Sequence, residues 1–472
     1  MQFNTPKFLV FVVAALALYW TARRDRHLRA AVLVVASYAF YAAGNPRFLV
    51  ILLAVSVSDF YLALWMARQS QAARRRAILV LSLVVDLGLL AFFKYANFFL
   101  GSYAGLADWL RLPVGPRHIS LAAPVGISFY LFRTIGHMVD VYRRKTPPCG
   151  FLPDYLIFIA FFPAILSGPI MRGGNFLPQL PPEPRMTRER LQRILFLLTS
   201  GLIKKFLVAD FIAVRFTDMV FQVPLMYSSA EMLLAILGYS LQLYADFAGY
   251  TDLALGLGLA FGLELPENFN FPYKSINLRE FWQRWHISFS SWLRDYLYVS
   301  VGGSRVDRPW KIYRNLMITM TLGGWWHGAS WNFVLWGALH GAGLCVTRWV
   351  QRLRPQTSPP GPVRRALSAL GVFLFVTLCW TLFRVSDFGL AKDIVANLRL
   401  GSWRLANFPL STAAMMGAAV VGMWLPAGVD RRLRQAYGSL PLVLKLAILA
   451  AVGYVAFTWL ADRTPHFVYE QF

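Results

Sequence analysis

Charged residues are scarce in this chain, and acidic residues are the scarcest of them. Only 15% of the 472 residues are Asp, Glu, Lys or Arg, whereas a soluble domain carries about 25%. Hydrophobic residues make up 57%, and long apolar runs recur from end to end. The alternation of polar and apolar residues that transmembrane barrels show is absent. The composition therefore excludes a soluble globular protein and predicts a polytopic helical membrane protein.

Cysteine is also rare, since there are only three, Cys149, Cys345 and Cys379, and no C-x-x-C spacing. This pattern indicates neither a disulfide framework nor a metal site. The sequence shows no internal repeat, which argues against a transporter built from paired halves. The first apolar segment, 8–21, is followed by arginines with no small-residue cleavage site before them. We therefore expect an uncleaved first span.

Basic residues outnumber acidic residues by 47 to 23, which gives a net charge of +24. They lie mostly in short segments between apolar runs, as in cytoplasmic loops of membrane proteins, so nucleic-acid binding is not expected. The densest basic clusters are 23–29, 74–76, 143–145, 352–365 and 431–434. If all of them face the cytoplasm, both termini lie outside it. Some of this charge can also contact anionic membrane lipids.

The apolar runs predict thirteen candidate membrane segments, several of them below the roughly 20 residues needed to cross the hydrocarbon core. They fall at 7–21, 29–43, 47–67, 77–93, 121–141, 151–170, 191–209, 230–262, 312–322, 331–350, 366–383, 410–427 and 440–460. We expect the short ones to be re-entrant, tilted or buried, and 230–262 is long enough for a broken pair of helices. The interpretation is one membrane domain over residues 1–472.

His327 lies in an unusual setting, after Gly323, Gly324 and two tryptophans and four residues before Trp331. The glycines let backbones approach closely. The indole rings would exclude water and keep the imidazole neutral, and a neutral imidazole can act as a general base. The alternative is a structural histidine bonded to a backbone carbonyl. His340, 13 residues later, is better explained by helix packing.

His286 lies 41 residues before His327, in a segment rich in aromatic residues. The spacings 4, 4, 3 and 4 predict one aromatic stripe along a helix at the membrane interface, formed by Phe281, Trp285, Phe289, Trp292 and Tyr296. A histidine at membrane depth indicates a functional site. The alternative is an aromatic anchor helix in which His286 is only hydrogen-bonded.

Acidic side chains inside apolar stretches also need partners. Asp246 and Asp252 either line a water-filled path or form buried ion pairs that hold helices together, and the second interpretation is favoured. The same two interpretations apply to Asp59, Asp86 and Lys94.

Seven short motifs follow one another in a fixed order. They are FFKY (92–95), PVGISF (124–129), SGPI (167–170), DFAGYTD (246–252), PENF (266–269), RWHIS (284–288) and WHG (326–328). Together they make the chain resemble the membrane-bound O-acyltransferase family, most closely its bacterial, alginate O-acetyltransferase-like branch. The resemblance covers about residues 90–345, and both ends match only in hydropathy.

The resemblance implies an all-helical membrane fold, a ring of roughly 10–13 transmembrane or re-entrant helices around a central tunnel that holds the catalytic histidine. It implies that His327 is this histidine and that His286 is its polar catalytic partner. It also implies a substrate-binding set of residues in or beside the motifs: Trp326, Trp285, Asp246, Asn268 and Ser288. No metal and no bound cofactor are implied; the co-substrate is an acyl thioester, acetyl-CoA in this branch.

The resemblance further implies a reaction across the bacterial plasma (inner) membrane. The donor arrives from the cytoplasm, and an extracytoplasmic protein of the serine-hydrolase type passes the acetyl group to a hydroxyl of a cell-surface polysaccharide. Three alternatives stay open. They are D-alanyl transfer from a carrier protein to teichoic acid, a transporter or flippase for a lipid-linked glycan, and a scaffold that recruits the true enzyme.

Overall fold

The computed structural model describes residues 5–44, 46–112, 118–119, 123–353, 360–385 and 387–460. Every regular element among these residues is a helix, which confirms the predicted all-helical class. Residues 121 and 122 of the predicted span 121–141, and 354–359 of the basic cluster 352–365, lie outside the described residues. The chain divides into two units, Met1–Thr187 with Leu257–Pro266, and Arg188–Gly256 with Glu267–Phe472. The interpretation as one membrane domain, and the ring and tunnel, stay predictions.

The first unit holds the N-terminal helices and short helical turns between them. Its helices are α1 (Pro6–Thr21), α2 (Arg26–Ala42), α3 (Leu49–Arg68), α4 (Ala72–Leu90), α5 (Ala96–Trp109), α6 (Ile127–Tyr142), α7 (Leu152–Ala160) and α8 (Gly173–Phe176). A π-helical turn, Ala91–Tyr95, joins α4 to α5, and 3₁₀ turns occupy Pro46–Phe48 and Leu177–Gln179.

Buried arginines of the first unit donate hydrogen bonds to backbone carbonyls. Arg75 donates to the carbonyls of Met66, Val141 and Tyr142 at 2.9–3.0 Å. Arg133 donates to the carbonyl of Ile159 at 2.8 Å. These carbonyls lie in the last turns of α3, α6 and α7, where helix carbonyls lack intrahelical partners.

Two carboxyl groups that the sequence analysis singled out are also buried in the first unit. Ser82 donates to Asp59 at 2.8 Å, and Thr134 donates to Asp86 at 3.0 Å. The Lys94 amine lies 3.4 Å from the Ser128 hydroxyl. Hydroxyl groups therefore supply partners for both acidic side chains.

The second unit contains the remaining helices. They are α9 (Arg188–Leu202), α10 (Asp218–Gln222), α11 (Ser229–Ala260, whose last four residues belong to the first unit), α12 (Leu278–Arg284), α13 (Ile287–Trp292), α14 (Trp310–His327), α15 (Trp331–Leu353), α16 (Pro362–Arg384), α17 (Phe388–Leu400), α18 (Leu410–Trp424), α19 (Ala427–Ser439) and α20 (Leu442–Leu460). π-helical segments occupy Ile203–Asp210, Ala213–Thr217 and Leu293–Tyr298, and 3₁₀ turns occupy Pro224–Met226 and Pro272–Lys274.

Helices α14 and α15 form a hairpin in which the backbones touch. A Cβ atom on Gly324 would lie 2.4 Å from the carbonyl oxygen of Phe333 and 2.7 Å from the Cα of Gly337. A Cβ atom on Gly337 would lie 2.4 Å from the carbonyl oxygen of Met320. The predicted close approach at Gly324 is confirmed, and it fixes the end of α14 against the start of α15.

Within the described residues, four helices are long and apolar enough to cross a membrane: Pro46–Arg68, Ala72–Trp109, Ser229–Ala260 and Pro362–Arg384. The bent pair Leu410–Trp424 and Gly428–Ser439 gives a fifth if it counts as one span. The segment 230–262, long enough for a broken pair of helices, does not break, because Ser229–Ala260 is one continuous helix of 32 residues. Its glycines admit neighbours instead of bending the helix; a Cβ on Gly249 would lie 2.6 Å from the backbone nitrogen of Lys205.

Candidate active site

His327 is the last residue of α14, at the point where the chain turns toward α15. The next residue, Gly328, is extended (φ −158°, ψ 147°) and ends the helix. The imidazole centroid lies 4.9 Å from that of Trp326, 5.1 Å from that of Trp336 and 5.3 Å from that of Phe383. Only 4% of the residue is exposed. Aromatic rings therefore enclose this imidazole, as the sequence predicts.

His286 lies at a sharp bend between α12 and α13. Its backbone is left-handed (φ 43°, ψ 54°), a conformation that costs a non-glycine residue about 1–2 kcal/mol. Backbone hydrogen bonds on either side hold the bend. The Ile287 nitrogen donates to the carbonyl of Asn268 at 3.0 Å, and the Asn270 nitrogen donates to the carbonyl of Arg284 at 3.0 Å. The segment 268–270 therefore fixes the backbone that carries the imidazole.

The predicted single helix with one aromatic stripe is wrong. The segment forms α12, the left-handed residue His286, α13 and the π-helical segment Leu293–Tyr298. Because of the bend at His286, the aromatic rings before and after it contact different neighbours. Trp285 stacks on Phe281 at 5.7 Å and contacts Trp380 at 4.8 Å, whereas Phe289 stacks on Trp326 at 4.5 Å.

The two histidines meet in this structure despite their separation along the chain. Their ring centroids lie 6.4 Å apart, with the planes tilted by 46°. Phe289 joins them, since its ring stacks on His286 at 4.9 Å and lies 5.2 Å from His327. Phe247 of α11 packs edge-on against His286 at 4.7 Å. The result is a pair of imidazoles inside an aromatic cluster.

Asn268 and Ser288, both predicted to bind substrate, are bonded to each other beside His286. The Asn268 Oδ1 atom accepts from the Ser288 hydroxyl at 2.6 Å and from the Ser288 backbone nitrogen at 3.2 Å. Its Nδ2 atom reaches the Thr251 hydroxyl of α11 at 3.5 Å. Asn268 is fully buried, so it links α11 to the start of α13.

Asp246 forms a buried ion pair. Its Oδ1 atom lies 2.6 Å from the Lys205 amine, which also lies 2.8 Å from Asp210. Asp252 likewise pairs with Lys204 at 2.6 Å. These contacts agree with the favoured interpretation, in which the acidic side chains within apolar stretches form ion pairs between helices. Asp246 still adjoins the site, because the next residue, Phe247, packs on His286.

Two rings around His327 come from outside the motifs, and sequence reasoning missed both. Trp336 of α15 and Phe383 of α16 contact the imidazole. Trp331, expected beside the imidazole, is 56% exposed. Its place is taken by Trp336, which the antiparallel return of α15 brings alongside the end of α14. No signal in the sequence marked Trp336, because the contact of its neighbour Gly337 with Gly324 is known only from the structure.

His340, the third histidine of this region, is fully buried among aromatic rings. Its centroid lies 4.7 Å from that of Trp336 and 5.1 Å from that of Trp282. These contacts agree with the expected role in helix packing.

Burial controls the charge of His286, which lies outside the helices long enough to cross a membrane. Desolvation lowers its pKa to about 3 from the ordinary 6.5, so this imidazole is neutral at physiological pH. In the described parts of the chain, no group of three or more His, Cys, Asp or Glu side chains is placed to hold a metal ion. The chemistry open to the site is hydrogen bonding and proton transfer by imidazole.

Comparison with known proteins identifies the family of the chain. The membrane-bound O-acyltransferase family model matches residues 139–386, which is more than half of the chain. The chain belongs to the membrane-bound O-acyltransferase family. It is therefore a membrane protein and an O-acyltransferase.

Individual relatives extend the likeness beyond the matched domain. The chain is 39% identical over 416 residues to the probable alginate O-acetylase AlgI of Azotobacter vinelandii, which covers 86% of this chain and 80% of that protein. It is 34% identical over 392 residues to the peptidoglycan O-acetyltransferase of Helicobacter pylori, covering 78% and 73%. It is 31% identical over 246 residues to the teichoic acid D-alanyltransferase of Bacillus subtilis, covering 48% and 59%.

Proposed function

We propose that this chain passes acetyl groups from a cytoplasmic thioester donor, acetyl-CoA, toward the hydroxyls of a cell-surface polysaccharide. The observation that carries the proposal is that the imidazole ring centroids of His286 and His327 lie 6.4 Å apart inside an aromatic cluster. Two relatives that share most of the chain's length are named for O-acetylation of alginate and of peptidoglycan, both built from sugars. These names favour acetyl as the group and a glycan as the final acceptor.

His327 acts as the general base in this mechanism. Its imidazole takes the proton of the acceptor hydroxyl while the hydroxyl oxygen attacks the thioester carbonyl carbon. The tetrahedral intermediate then collapses, the carbon–sulfur bond breaks, and the proton passes from His327 to the leaving thiolate. An acetyl ester and a free thiol are the products, so the reaction needs no metal and no bound cofactor. General-base help of this kind contributes about 10²–10⁴-fold.

His286 hydrogen-bonds the substrate or places the reacting carbonyl. Its fixed backbone supports this role, because a positioning group works only when its own geometry is held. Backbone amides or nearby polar side chains stabilise the oxyanion that forms on the carbonyl oxygen.

The substrate-binding set divides by its contacts. Trp326 and Ser288 lie beside the two histidines and are the better candidates for direct contact with substrate. The other three residues support the site indirectly. Asn268 holds Ser288 and the backbone of His286, and Asp246 pairs with Lys205. Trp285 precedes the bend at His286.

The proposed setting is the plasma (inner) membrane of a bacterium, with the basic clusters on the cytoplasmic side where the donor arrives. The acetyl group leaves on the other side and is taken up by an extracytoplasmic protein of the serine-hydrolase type. That partner delivers it to the polysaccharide, while membrane lipids surround the chain.

Transfer of labelled acetyl from acetyl-CoA by the purified chain, supplied with partner protein or glycan, tests the proposal. His327→Ala should lose nearly all transfer while remaining folded. His27→Ala, which removes an exposed histidine, should keep the wild-type rate. If the folded His327→Ala variant keeps most of the acetyl transfer, His327 is not the general base.

The same assay separates the alternatives. If the chain accepts D-alanine from a carrier protein and ignores acetyl-CoA, it is a D-alanyl transferase. Membership of the family favours the acyltransferase over the transporter or flippase and over the scaffold.

A further inference from the structure

An arginine-lined cavity of about 500 Å³ lies in the second unit, beside the segment that carries His286. Its walls come from α12, α13, the π-helical segment after α13, and the hairpin of α14 and α15. This volume is in the range of small-molecule sites. Three arginines line it, Arg279, Arg294 and Arg348, together with several hydroxyl and amide side chains. No acidic residue is among its lining residues.

The positive charge of the cavity is only partly compensated. The Arg294 Nε atom lies 2.7 Å from the Asp295 carboxylate. Across the described ranges, neither Arg279 nor Arg348 has a carboxylate within 4.0 Å. Glu280, next to Arg279 in the chain, is instead paired with Arg284 at 2.8 Å. Two guanidinium groups therefore face one cavity without a counter-ion from the protein, which suits a phosphate-bearing ligand.

The cavity runs along the hairpin of α14 and α15, and one end lies next to the residues that flank the histidine pair. Ile287, the residue after His286, lines it, and so does Met320, two turns before His327 on α14. Arg348 lies twelve residues beyond Trp336 on α15, which is about 18 Å along the helix. Trp336 contacts His327. A ligand held at Arg348 therefore needs a long arm to place a reacting group at His327.

We propose that Arg279 and Arg348 bind the phosphate groups of the thioester donor, whose arm then follows the cavity toward His286 and His327. This inference rests on the proposed function and adds the residues that hold the donor. Coenzyme A suits the cavity, since its phosphates lie at the opposite end of an extended arm from the thiol. Acetyl phosphate does not, because its phosphate adjoins the acetyl carbonyl. A carrier protein offers a single phosphodiester.

Binding of coenzyme A to the purified full chain, measured by calorimetry, tests the inference. Arg279→Gln and Arg348→Gln should each weaken binding about 10- to 100-fold, as loss of a charge-assisted hydrogen bond does. Arg314→Gln is the matched control, because Arg314 lies on α14 outside the cavity and contacts Asn315. It should keep wild-type affinity. In turnover, the KM for acetyl-CoA should rise in the two cavity variants while kcat changes little.

Probes of different chemistry identify the ligand group. Pantetheine, which lacks phosphate, should bind weakly and equally to wild type and both cavity variants. Equal coenzyme A affinity in wild type, Arg279→Gln and Arg348→Gln would overturn the inference. So would variants that lose binding of phosphatidylglycerol nanodiscs but not of coenzyme A, because the arginines would then hold a lipid head group. Thioester turnover by the wild-type chain tests the proposed function separately, because it does not depend on which residues hold the phosphates.

Discussion

At the scale of single residues, Asn268 is the side chain on which the placement of His286 depends most directly. Its Oδ1 atom accepts two hydrogen bonds from Ser288, and its carbonyl accepts one from Ile287. Asn268→Ala leaves two buried donors unpaired, so we expect a loss of about 1–3 kcal/mol in the free energy of unfolding and a lower kcat. Thermal unfolding and acetyl transfer measure the two effects.

Ser288→Ala is the control for this prediction. It removes only the hydroxyl and leaves the backbone nitrogen of residue 288 bonded to Asn268, so its loss in the free energy of unfolding should be smaller. Equal losses of stability in the two variants would show that the side chain of Asn268 does not hold the bend.

The buried imidazole of His286 should also shape the dependence of stability on pH. Because burial lowers the pKa of His286 from 6.5 to about 3, its imidazole binds a proton below pH 6.5 in the unfolded chain but stays neutral in the folded chain. The free energy of unfolding is therefore unaffected by this group above pH 6.5. It falls as the pH drops from 6.5 toward 3, by at most about 1.4 kcal/mol per pH unit. His286→Asn should therefore show a shallower loss on acidification, measured by thermal unfolding in detergent. A slope identical to that of the wild type would contradict the prediction.

The sequence predicted the identity of these residues better than their surroundings. His286, His327 and Asn268 lie in motifs whose order indicates the family, so they could be chosen without coordinates. Trp336 and Phe383 could not, because their contact with His327 depends on how α15 and α16 return past the end of α14. Lys205, the partner of Asp246, was missed for the same reason.

At the scale of helices, the contact between α14 and α15 sets the position of His327. Gly324→Ala would place a methyl group 2.4 Å from a backbone oxygen of α15, and the backbone cannot move aside cheaply. We expect a loss of about 1–3 kcal/mol in stability from overpacking, and reduced acetyl transfer because the end of α14 shifts. Thermal unfolding and turnover report both effects.

Gly417→Ala on α18 provides the comparison for this substitution. A Cβ atom there meets nothing within 4 Å, so stability should stay the same or rise slightly. If Gly324→Ala behaves like Gly417→Ala, the hairpin does not depend on backbone contact.

Helices could be predicted from apolar runs, but their interruptions could not. The aromatic spacing around His286 fits one helix, yet the structure bends there because Asn268 supplies the backbone partner for Ile287. That partner is remote in the chain and invisible to local periodicity. Conversely, the length of 230–262 allowed a broken pair of helices, although the structure has one continuous helix whose glycines serve close packing.

At the scale of the whole molecule, the proposed reaction requires that the donor and the basic clusters share one side of the membrane. The net charge of +24 reflects basic residues gathered in short segments, most of them in or beside the ends of helices. If those segments are cytoplasmic, the arginine-lined end of the cavity, near the C-terminal end of α15 and the basic cluster 352–365, faces the donor. The function therefore depends on the topology.

Helix α3 allows this topology to be measured. It runs from Leu49 to Arg68, and 20 residues span about 30 Å, the thickness of the hydrocarbon core. Gly44 precedes it in a segment with one arginine, whereas Ser70 follows it beside the cluster 74–76. In a chain whose three cysteines are replaced by serine, an impermeant maleimide should label Gly44→Cys in intact spheroplasts and Ser70→Cys only after lysis. The reverse pattern would place the basic clusters outside the cell and would contradict delivery of the donor from the cytoplasm.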